Sequence, residues 1–368
     1  MTKNTLLLTG LFALICINMA VAQNGHITYA EQPPFNPPNY ICYKITNPIT
    51  IDGIISASEW DAIPWIEGFK DIMGDKGKAP HLETKVKMAH DDTGIYFAAW
   101  MEEPHIWATY TEHDSPLYQD KAFEIVFDLN NNTHDYLEYE VNALGTVWDL
   151  YLSKPYRDNP VTFNDWEFMG MKSAVHLDGT LNNPNDTDKS WSVEVFIPWK
   201  SLYQVVPRKR KPADGDQIRM NFQRVHWPLL IKDGKYEKAP KPEGERFAES
   251  YWLWAPIGTP STHLPEFWGY VQFSDKMAGT EEVAFLKNPE EDIRWMLRNL
   301  YYRQNEYKRA TGAYASVLSV LKPEDVCPSG WINKLTLDTT PTMYEITLST
   351  DNAIWHIRQD GLVWKSNN

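Results

Sequence analysis

Three segments of the chain alternate apolar and polar side chains with a period of two residues. In residues 123–127, the two phenylalanines and Ile125 share one face and Glu124 lies on the other, and residues 137–142 and 191–197 repeat the pattern. Successive side chains of a β-strand point to opposite faces, so each segment is predicted to be a strand with one buried and one wetter face. Strands of that kind belong to antiparallel sheets.

Short apolar segments separated by turn residues occupy most of the chain. Further strands are predicted at residues 86–89, 95–101, 147–152, 218–222, 251–254 and 268–273. No long helical period interrupts them. The sequence therefore predicts an all-β domain, an antiparallel β-sandwich of the immunoglobulin-like or jelly-roll type.

The pattern changes near residue 276. A helix is predicted with Asn288 as its cap and Pro289 at its first position, and a shorter helix is predicted over residues 313–321. Two strands, at residues 344–348 and 353–357, then close the chain. We expect four segments: a signal peptide at 1–22, a leader rich in Pro, Asn and Gln at 23–44, the sandwich at 45–275 and a small α+β region at 276–368.

The first residues have the composition of an export signal. Lys3 supplies a positive charge, residues 6–17 are apolar, and Ala20 and Ala22 are small residues at the positions that a signal peptidase reads. The apolar run is shorter than the about 20 residues that a spanning helix needs. We expect cleavage after Ala22 and a periplasmic or secreted mature protein. Because Ile15 precedes Cys16, attachment to a lipid is disfavoured.

Two cysteines, Cys42 and Cys327, remain after removal of the signal. An oxidising compartment permits a disulfide between them, and two separate buried thiols are the alternative. We predict that the pair is bridged and ties the leader to the C-terminal region.

Charge and aromatic content narrow the ligand classes. The formal net charge of −14 makes nucleic acid and anionic membranes poor partners. The chain has 16 Trp and 19 Tyr. Aromatic faces pack against the aliphatic C–H groups of sugar rings while polar groups bond the hydroxyls at the ring edge. Neutral ligands or cations are therefore the better candidates.

A series of local motifs resembles the family 9 carbohydrate-binding modules. They are Ile49-Thr50-Ile51-Asp52-Gly53 with Glu59-Trp60, Asp91-Asp92-Thr93-Gly94-Ile95-Tyr96, Phe123-Glu124-Ile125-Val126-Phe127-Asp128, Trp191-Ser192-Val193-Glu194 with Ile197-Pro198-Trp199, and Pro265-Glu266-Phe267-Trp268-Gly269-Tyr270. The resemblance covers about residues 45–275 and is greatest to free-standing exported family-9-like proteins. It implies a β-sandwich with bound calcium and a sugar clamped between two tryptophans, with charged and amide side chains around the hydroxyls. The charged loop at 232–249 and the C-terminal region depart from the family.

Aromatic and polar residues near strand ends are the candidate carbohydrate ligands. We predict that Trp107 and Trp227 present ring faces to a sugar while Arg224 and Asn142 bond its hydroxyls. Trp148, Trp166 and Arg157 are further candidates. The alternative for the tryptophans is packing in the core. The alternative for Arg157 is a structural role, in a turn held by salt bridges to the acidic surface. Core positions are expected for Trp60, Trp191, Trp199 and Trp268.

Oxygen-bearing side chains follow the strand at 123–127. Asp128, Asn130, Asn132 and Asp135 are candidate calcium ligands, because calcium prefers carboxylate and amide oxygens. The loop lacks the terminal bidentate glutamate of a calcium loop, so an Asn-rich turn is the alternative.

We expect non-catalytic carbohydrate binding by an exported protein that assists polysaccharide breakdown or uptake. An oligo- or polysaccharide is the expected ligand, and polysaccharide-degrading enzymes are candidate protein partners. One rival is a glycoside hydrolase that uses Glu124, Glu138 or Glu140, although Glu-x-Glu also occurs on any wet strand face. A second rival is a haem-binding sandwich with axial ligands among Met88, Met101 and His90.

Overall fold

The computed structural model describes residues 35–205 and 210–367. The predicted signal peptide and most of the predicted leader lie outside these residues. Within the described part of the chain, no helix is long and apolar enough to cross a membrane.

Strands dominate the chain up to residue 277. In chain order they are β1 (Asn39–Lys44), β2 (Lys70–Asp71), β3 (Thr84–His90), β4 (Gly94–Glu102), β5 (Ala122–Asp128), β6 (Tyr136–Asn142), β7 (Val147–Leu152), β8 (Thr162–Phe163), β9 (Lys172–Asp178), β10 (Ser190–Pro198), β11 (Gln217–His226), β12 (Leu229–Lys232), β13 (Lys235–Lys238), β14 (Ser250–Leu253) and β15 (Gly269–Met277). Two single-turn helices, α1 (Ala57–Trp60) and α2 (Trp199–Leu202), lie among them. The strands predicted by alternation are confirmed.

One large sheet folds over on itself to make two layers. Its strand order is β8-β7-β6-β5-β11-β15-β1-β3-β4-β10-β9, with β14 paired to β11 and β2 paired to β14. Apolar side chains of β3 and β4, including Val86 and Phe97, pack in one core with Phe123 and Ile125 of β5. This core lies between the two layers, so the predicted β-sandwich is confirmed.

Strand β1 departs from the expected domain boundary. The sequence assigned residues 39–44 to a leader outside the sandwich, but β1 lies inside the sheet, parallel to both β15 and β3. It joins the two layers, and Cys42 at its centre is fully buried. The strand was missed because Pro- and Asn-rich residues precede it and because its pairing partners are distant in sequence.

The four tryptophans expected in the core, Trp60, Trp191, Trp199 and Trp268, are each at most 4% exposed. The predicted wet face of the strands is not wet, however. Glu124, Glu138 and Glu140 are likewise each at most 4% exposed, because this outer face is covered by a later part of the chain.

Several motif residues are joined by one buried carboxylate. Glu194 Oε2 accepts hydrogen bonds from the backbone N–H groups of Asp52 and Gly53, and Glu194 Oε1 accepts one from Trp60 Nε1 at 2.7 Å. Gly53 has a φ of +85°, and an added Cβ would lie 2.6 Å from the backbone of Val175. The turn therefore requires glycine for both its conformation and its close approach to β9.

The C-terminal region begins with a long helix. It comprises α3 (Glu290–Thr311), α4 (Ser329–Ile332) and an antiparallel sheet of β16 (Leu335–Thr339), β17 (Tyr344–Ser349), β18 (Ile354–Arg358) and β19 (Val363–Ser366). The long helix and two of the strands were predicted. The second helix, predicted over 313–321, is wrong: a 3₁₀ turn at Leu318–Leu321 stands there. Gly312 in the left-handed conformation ends α3 and redirects the chain.

The C-terminal region is part of the same packed body as the sandwich. Leu297 and Leu300 of α3 share a second core with Val126 and Leu150 on the outer face of the large sheet. Buried ion pairs also cross this boundary, including Arg219 to Glu291 at 2.6 Å. These contacts bury the sheet face that the sequence predicted to be wet.

The predicted disulfide is wrong. Cys42 and Cys327 are free thiols. Cys42 lies in the core between the two layers, whereas Cys327 lies in the second core outside the sheet. Burial raises the pKa of both thiols, which keeps them protonated and unreactive.

Candidate functional site

Two predicted sugar ligands, Arg224 and Asn142, are engaged inside the protein. Arg224 is 1% exposed, and its guanidinium donates to two backbone carbonyls, a threonine hydroxyl and Glu103. The fully buried Asn142 donates to the carbonyl oxygen of Tyr110 and to Asp120, while its Oδ1 accepts two loop N–H groups. Neither side chain has a group left for a sugar, so both assignments are corrected to structural roles.

Trp107 and Trp227 do come together, as predicted, but around a lysine of this chain. Lys238 Nζ lies 3.9 Å from the centroid of Trp227 and 5.6 Å from that of Trp107. Lys238 ends the β12–β13 hairpin, which brings its ammonium over both rings. Trp107 is only 8% exposed, and Trp227 is half-buried with Nε1 donating to the carbonyl oxygen of Tyr118. A sugar could stack between the two rings only after Lys238 moved away.

Arg157 is a buried side chain that links the sandwich to the C-terminal region. Its Nη1 donates to Glu266 Oε1 at 2.5 Å, and its Nε donates to Asp158 and to the Tyr301 hydroxyl of α3. The guanidinium is 3% exposed. The proposed role of Arg157 as a sugar ligand is therefore corrected to a structural one: it forms an ion pair with Glu266 inside the sandwich and donates a hydrogen bond to α3 of the C-terminal region.

Trp166 is half-buried and packs against the edge of the main core, with its ring centroid 5.8 Å from that of Tyr151. Its indole N–H has no partner among the described residues. This position matches the core alternative better than the ligand assignment.

Trp148 belongs to a group of half-buried rings on the outer face of the sheet, which we call the aromatic face. Its members are Tyr110, Tyr118, Trp148, Trp227 and Tyr251. They pack around Leu117, Ala122 and Val225, which lie deeper in the same cluster. Trp148 Nε1 is buried beneath this face and has no hydrogen-bond partner among the described residues.

Three carboxylates lie next to the aromatic face, and we call them the glutamate cluster: Glu124, Glu138 and Glu140. Glu140 is directly opposite Glu124 on β5 and opposite Trp148 on β7. One oxygen from each carboxylate lies within 4.8 Å of the others. Burial raises the pKa of Glu124 to about 8, and burial together with the neighbouring carboxylates raises the pKa of Glu138 and Glu140 well above the usual range.

Two neighbouring rings close the cluster on the side of the C-terminal region. His263 Nε2 is 3.8 Å from Glu138 Oε2, and its Nδ1 is 3.0 Å from the Tyr136 hydroxyl. Burial lowers the pKa of His263 to about 3, so this imidazole is neutral at pH 7 and brings no charge to Glu138. Tyr156 packs against it edge-on, with centroids 4.6 Å apart.

The side-chain oxygens of the predicted calcium loop accept hydrogen bonds from nearby groups of the protein. Asp128 accepts hydrogen bonds from the N–H groups of Asn130 and Thr133, and the side-chain oxygens of Asn130 and Asn132 each accept an N–H two residues later. Asp135 accepts from the Tyr151 hydroxyl instead. All four side chains thus accept hydrogen bonds from the protein, and the loop has the geometry of an Asn-rich turn, the alternative that the sequence also allowed.

A second acidic group lies beside β7. His113 Nε2 is 2.9 Å from Glu167 Oε1 and 3.6 Å from Asp149 Oδ1. Despite burial, these neighbouring carboxylates raise the pKa of His113, so the group contains its own counter-ion. The sequence analysis did not identify it, because the three residues come from separate loops and strands.

The haem alternative has no common site for its ligands. Met88 and Met101 are fully buried members of the main core. His90 Nε2 is 2.9 Å from the carbonyl oxygen of Ser274. A cavity of about 260 Å³ opens elsewhere, beside Trp199 and Tyr203, and none of the three proposed ligands lines it.

Gln223 is the residue of this site that the sequence analysis missed most clearly. It is fully buried, lies directly opposite Glu124 on β11, and neither its Oε1 nor its Nε2 has a partner among the described residues. The sequence did offer one sign of it: Gln223 is a polar residue that directly follows the predicted strand at 218–222 and continues its alternation. Its meaning depends on the pairing of β11 with β5, which the sequence does not specify.

Comparisons with known proteins give one family and several structural neighbours. Residues 51–226 match the model of the carbohydrate family 9 binding domain-like family. A candidate carbohydrate-binding protein from Bacteroides uniformis ATCC 8492 is 17% identical, with a TM-score of 0.47, over 65% of this chain and 100% of that one. A family 9 module from Caldicellulosiruptor kristjanssonii, solved in complex with cellotriose, is 17% identical, with a TM-score of 0.38, over 68% of this chain and 100% of that one.

No curated protein matches the chain. The family match begins at the turn around Gly53 and ends at His226, the last residue of β11. It thus includes β5, β6 and β7, which carry the glutamate cluster and Trp148. Over residues 51–226, just under half of its length, this chain is similar to the carbohydrate family 9 binding domain-like family.

Proposed function

We propose that this protein binds carbohydrate without cleaving it, and that the aromatic face is its sugar-binding surface. The observation that carries the proposal is the family match over residues 51–226, which contains most of the rings of that face. Half-buried rings are fixed by packing yet still present a surface, which is what stacking against a sugar ring requires.

The aromatic face suits a sugar better than the pair first predicted. Lys238 lies over both Trp107 and Trp227, whereas the aromatic face extends from Trp227 to Trp148, Tyr110 and Tyr118. Its half-buried rings supply contact area for the aliphatic C–H groups of a sugar. Trp148 and Trp227 are the predicted ligands that this proposal retains, and Trp227 would contribute the ring surface that Lys238 leaves uncovered.

The buried carboxylates do not favour hydrolysis. A glycosidase needs two carboxyl groups that face the scissile bond, one protonated and one ionised. Glu138 and Glu140 are 2% and 4% exposed, and burial disfavours ionisation of both. We therefore retain binding rather than cleavage as the proposed activity.

Export and a role in polysaccharide breakdown or uptake are the cellular part of the proposal. They are supported by the positive, apolar and small-residue segments of residues 1–22. Sequencing the N-terminus of the protein recovered from its native host tests export. We expect Gln23 as the first residue, and a retained Met1 would contradict cleavage.

Single substitutions test the aromatic face. Trp148→Ala and Trp227→Ala should each weaken glycan binding by about tenfold to a hundredfold, because one stacking ring contributes on the order of 1–3 kcal/mol. Trp364→Ala is the matched control, since Trp364 is also half-buried but stacks on His356 in the C-terminal sheet. Affinity is measured by calorimetry and folding by thermal melting. Unchanged affinity in both test variants would remove the aromatic face from the proposal.

A further inference from the structure

The spacing of the glutamate cluster is that of ligands around one ion. Glu124, Glu138 and Glu140 each offer an oxygen within 4.8 Å of the others. Oxygens bound to one Ca²⁺, each at about 2.3–2.6 Å from the ion, lie no more than about 5 Å apart. The strand pairing of β5 with β6 fixes the three side chains on one face, so the arrangement needs no movement of the backbone.

The cluster also lacks a counter-charge. Among the described residues, no Lys or Arg forms an ion pair with the cluster, and its one charged-type contact is His263 Nε2, 3.8 Å from Glu138 Oε2. Isolated buried carboxylates are costly unless they are protonated, paired or bound to a metal. Two other buried carboxylates do have a cation beside them: Glu103 has Lys121 at 2.7 Å, and Glu291 has Arg219 at 2.6 Å.

Gln223 is a second, independent sign of a ligand at the cluster. Its side chain is fully buried beside Glu124, and both of its polar atoms are without a partner among the described residues. Glu140 Oε2 is without a partner as well. A cation with part of its water shell would use both the carboxylate oxygen and the amide oxygen.

We propose that Glu124, Glu138 and Glu140 bind one hard divalent cation, with the side-chain oxygen of Gln223 as a fourth protein ligand. Carboxylate and amide oxygens select Ca²⁺, Mg²⁺ or Mn²⁺ over softer metals. Ca²⁺ is favoured, because it accepts irregular coordination and can complete its shell with water. This site replaces the Asp128–Asp135 loop as the place where the chain would hold a metal.

Direct titration tests the site without any sugar. The full mature chain is treated with chelator, its metal content is checked by elemental analysis, and Ca²⁺, Mg²⁺ and Mn²⁺ are each titrated by calorimetry at pH 7. We expect one site per chain for at least one ion and a higher melting temperature in its presence, since a ligand of the folded state stabilises it. No heat and no melting shift with any of the three ions would overturn the proposal.

Charge-neutral variants locate the site. Glu138→Gln and Glu140→Gln should each lower the affinity for the ion at least tenfold, while Glu167→Gln, in the His113 group, should leave it unchanged. Both test variants relieve repulsion in the metal-free protein, so their metal-free melting temperatures should equal or exceed that of the wild type, which excludes a failure to fold. Full affinity in both test variants, or its loss in Glu167→Gln, would overturn the assignment. Because no sugar is present, neither result bears on the proposed carbohydrate function.

Discussion

At Glu103, one buried carboxylate holds two cations. Its oxygens lie 2.7 Å from Lys121 Nζ and 3.1 Å from Arg224 Nη2, and Glu103 is 1% exposed. Burial opposes ionisation, but His226, Lys121 and Arg224 outweigh it and lower the pKa of Glu103 to about 2. This network explains why Arg224, which the sequence suggested as a sugar ligand, is a structural residue.

Glu103→Gln should destabilise the protein by ~3–5 kcal/mol, because it leaves Lys121 and Arg224 buried without their partner. The folded-state pKa of Glu103 is depressed, so its contribution is present above about pH 4.5 and is lost as the pH falls towards 2. The gap between wild type and variant in denaturant unfolding should therefore narrow in acid. Exposed Glu102→Gln is the control, with a change within about 0.5 kcal/mol. A pH-independent gap would contradict this account.

For single residues, the amino-acid type alone did not distinguish ligands from structural side chains. Trp148 and Trp227 were predicted ligands, and both lie on the aromatic face. Asn142 and Arg157 were predicted ligands on equal grounds, but their polar groups form hydrogen bonds inside the protein. Whether a polar group is free depends on partners distant in sequence. The sequence does not state those partners.

Among the elements, the turn at Gly53 shows how closely a short motif is constrained. Gly53 and Gly145 have similar φ values, +85° and +81°, but an added Cβ would meet the backbone of β9 at Gly53 and nothing within 4 Å at Gly145. Gly145→Ala should cost about 1–2 kcal/mol for the left-handed conformation alone. Gly53→Ala should cost a further ~1–3 kcal/mol for the clash. Equal losses of unfolding free energy in the two variants would show that the close approach at β9 is unimportant.

Most strands could be predicted because each carries its own period-two pattern. Phe123, Ile125 and Phe127 face the main core as that pattern requires. Strand β1 was missed, since its membership in the sheet depends on parallel pairing with β15, more than two hundred residues later in the chain. The burial of Glu124 could not be predicted either, because α3 and the loops that cover the outer face carry no sign of where they dock.

For the whole molecule, the C-terminal region completes the fold of the sandwich. It covers Val126, Leu150 and Trp268 in the second core and supplies Glu291 to the buried Arg219. A chain that ends at residue 280 should therefore expose a large apolar surface and leave a buried cation unpaired. We expect it to aggregate, or to melt far below the full chain, in size-exclusion and circular-dichroism measurements. A monomeric truncated protein with the melting temperature of the full chain would contradict this view.

Carbohydrate binding is tested most directly by calorimetric titration of the chain from residue 23 onward with a broad panel of oligo- and polysaccharides. We expect saturable binding to at least one glycan, without release of reducing ends during prolonged incubation. Trp148→Ala should weaken that binding about tenfold to a hundredfold, while Trp364→Ala should not. An absence of binding across the panel, or steady release of reducing ends, would contradict the proposed function.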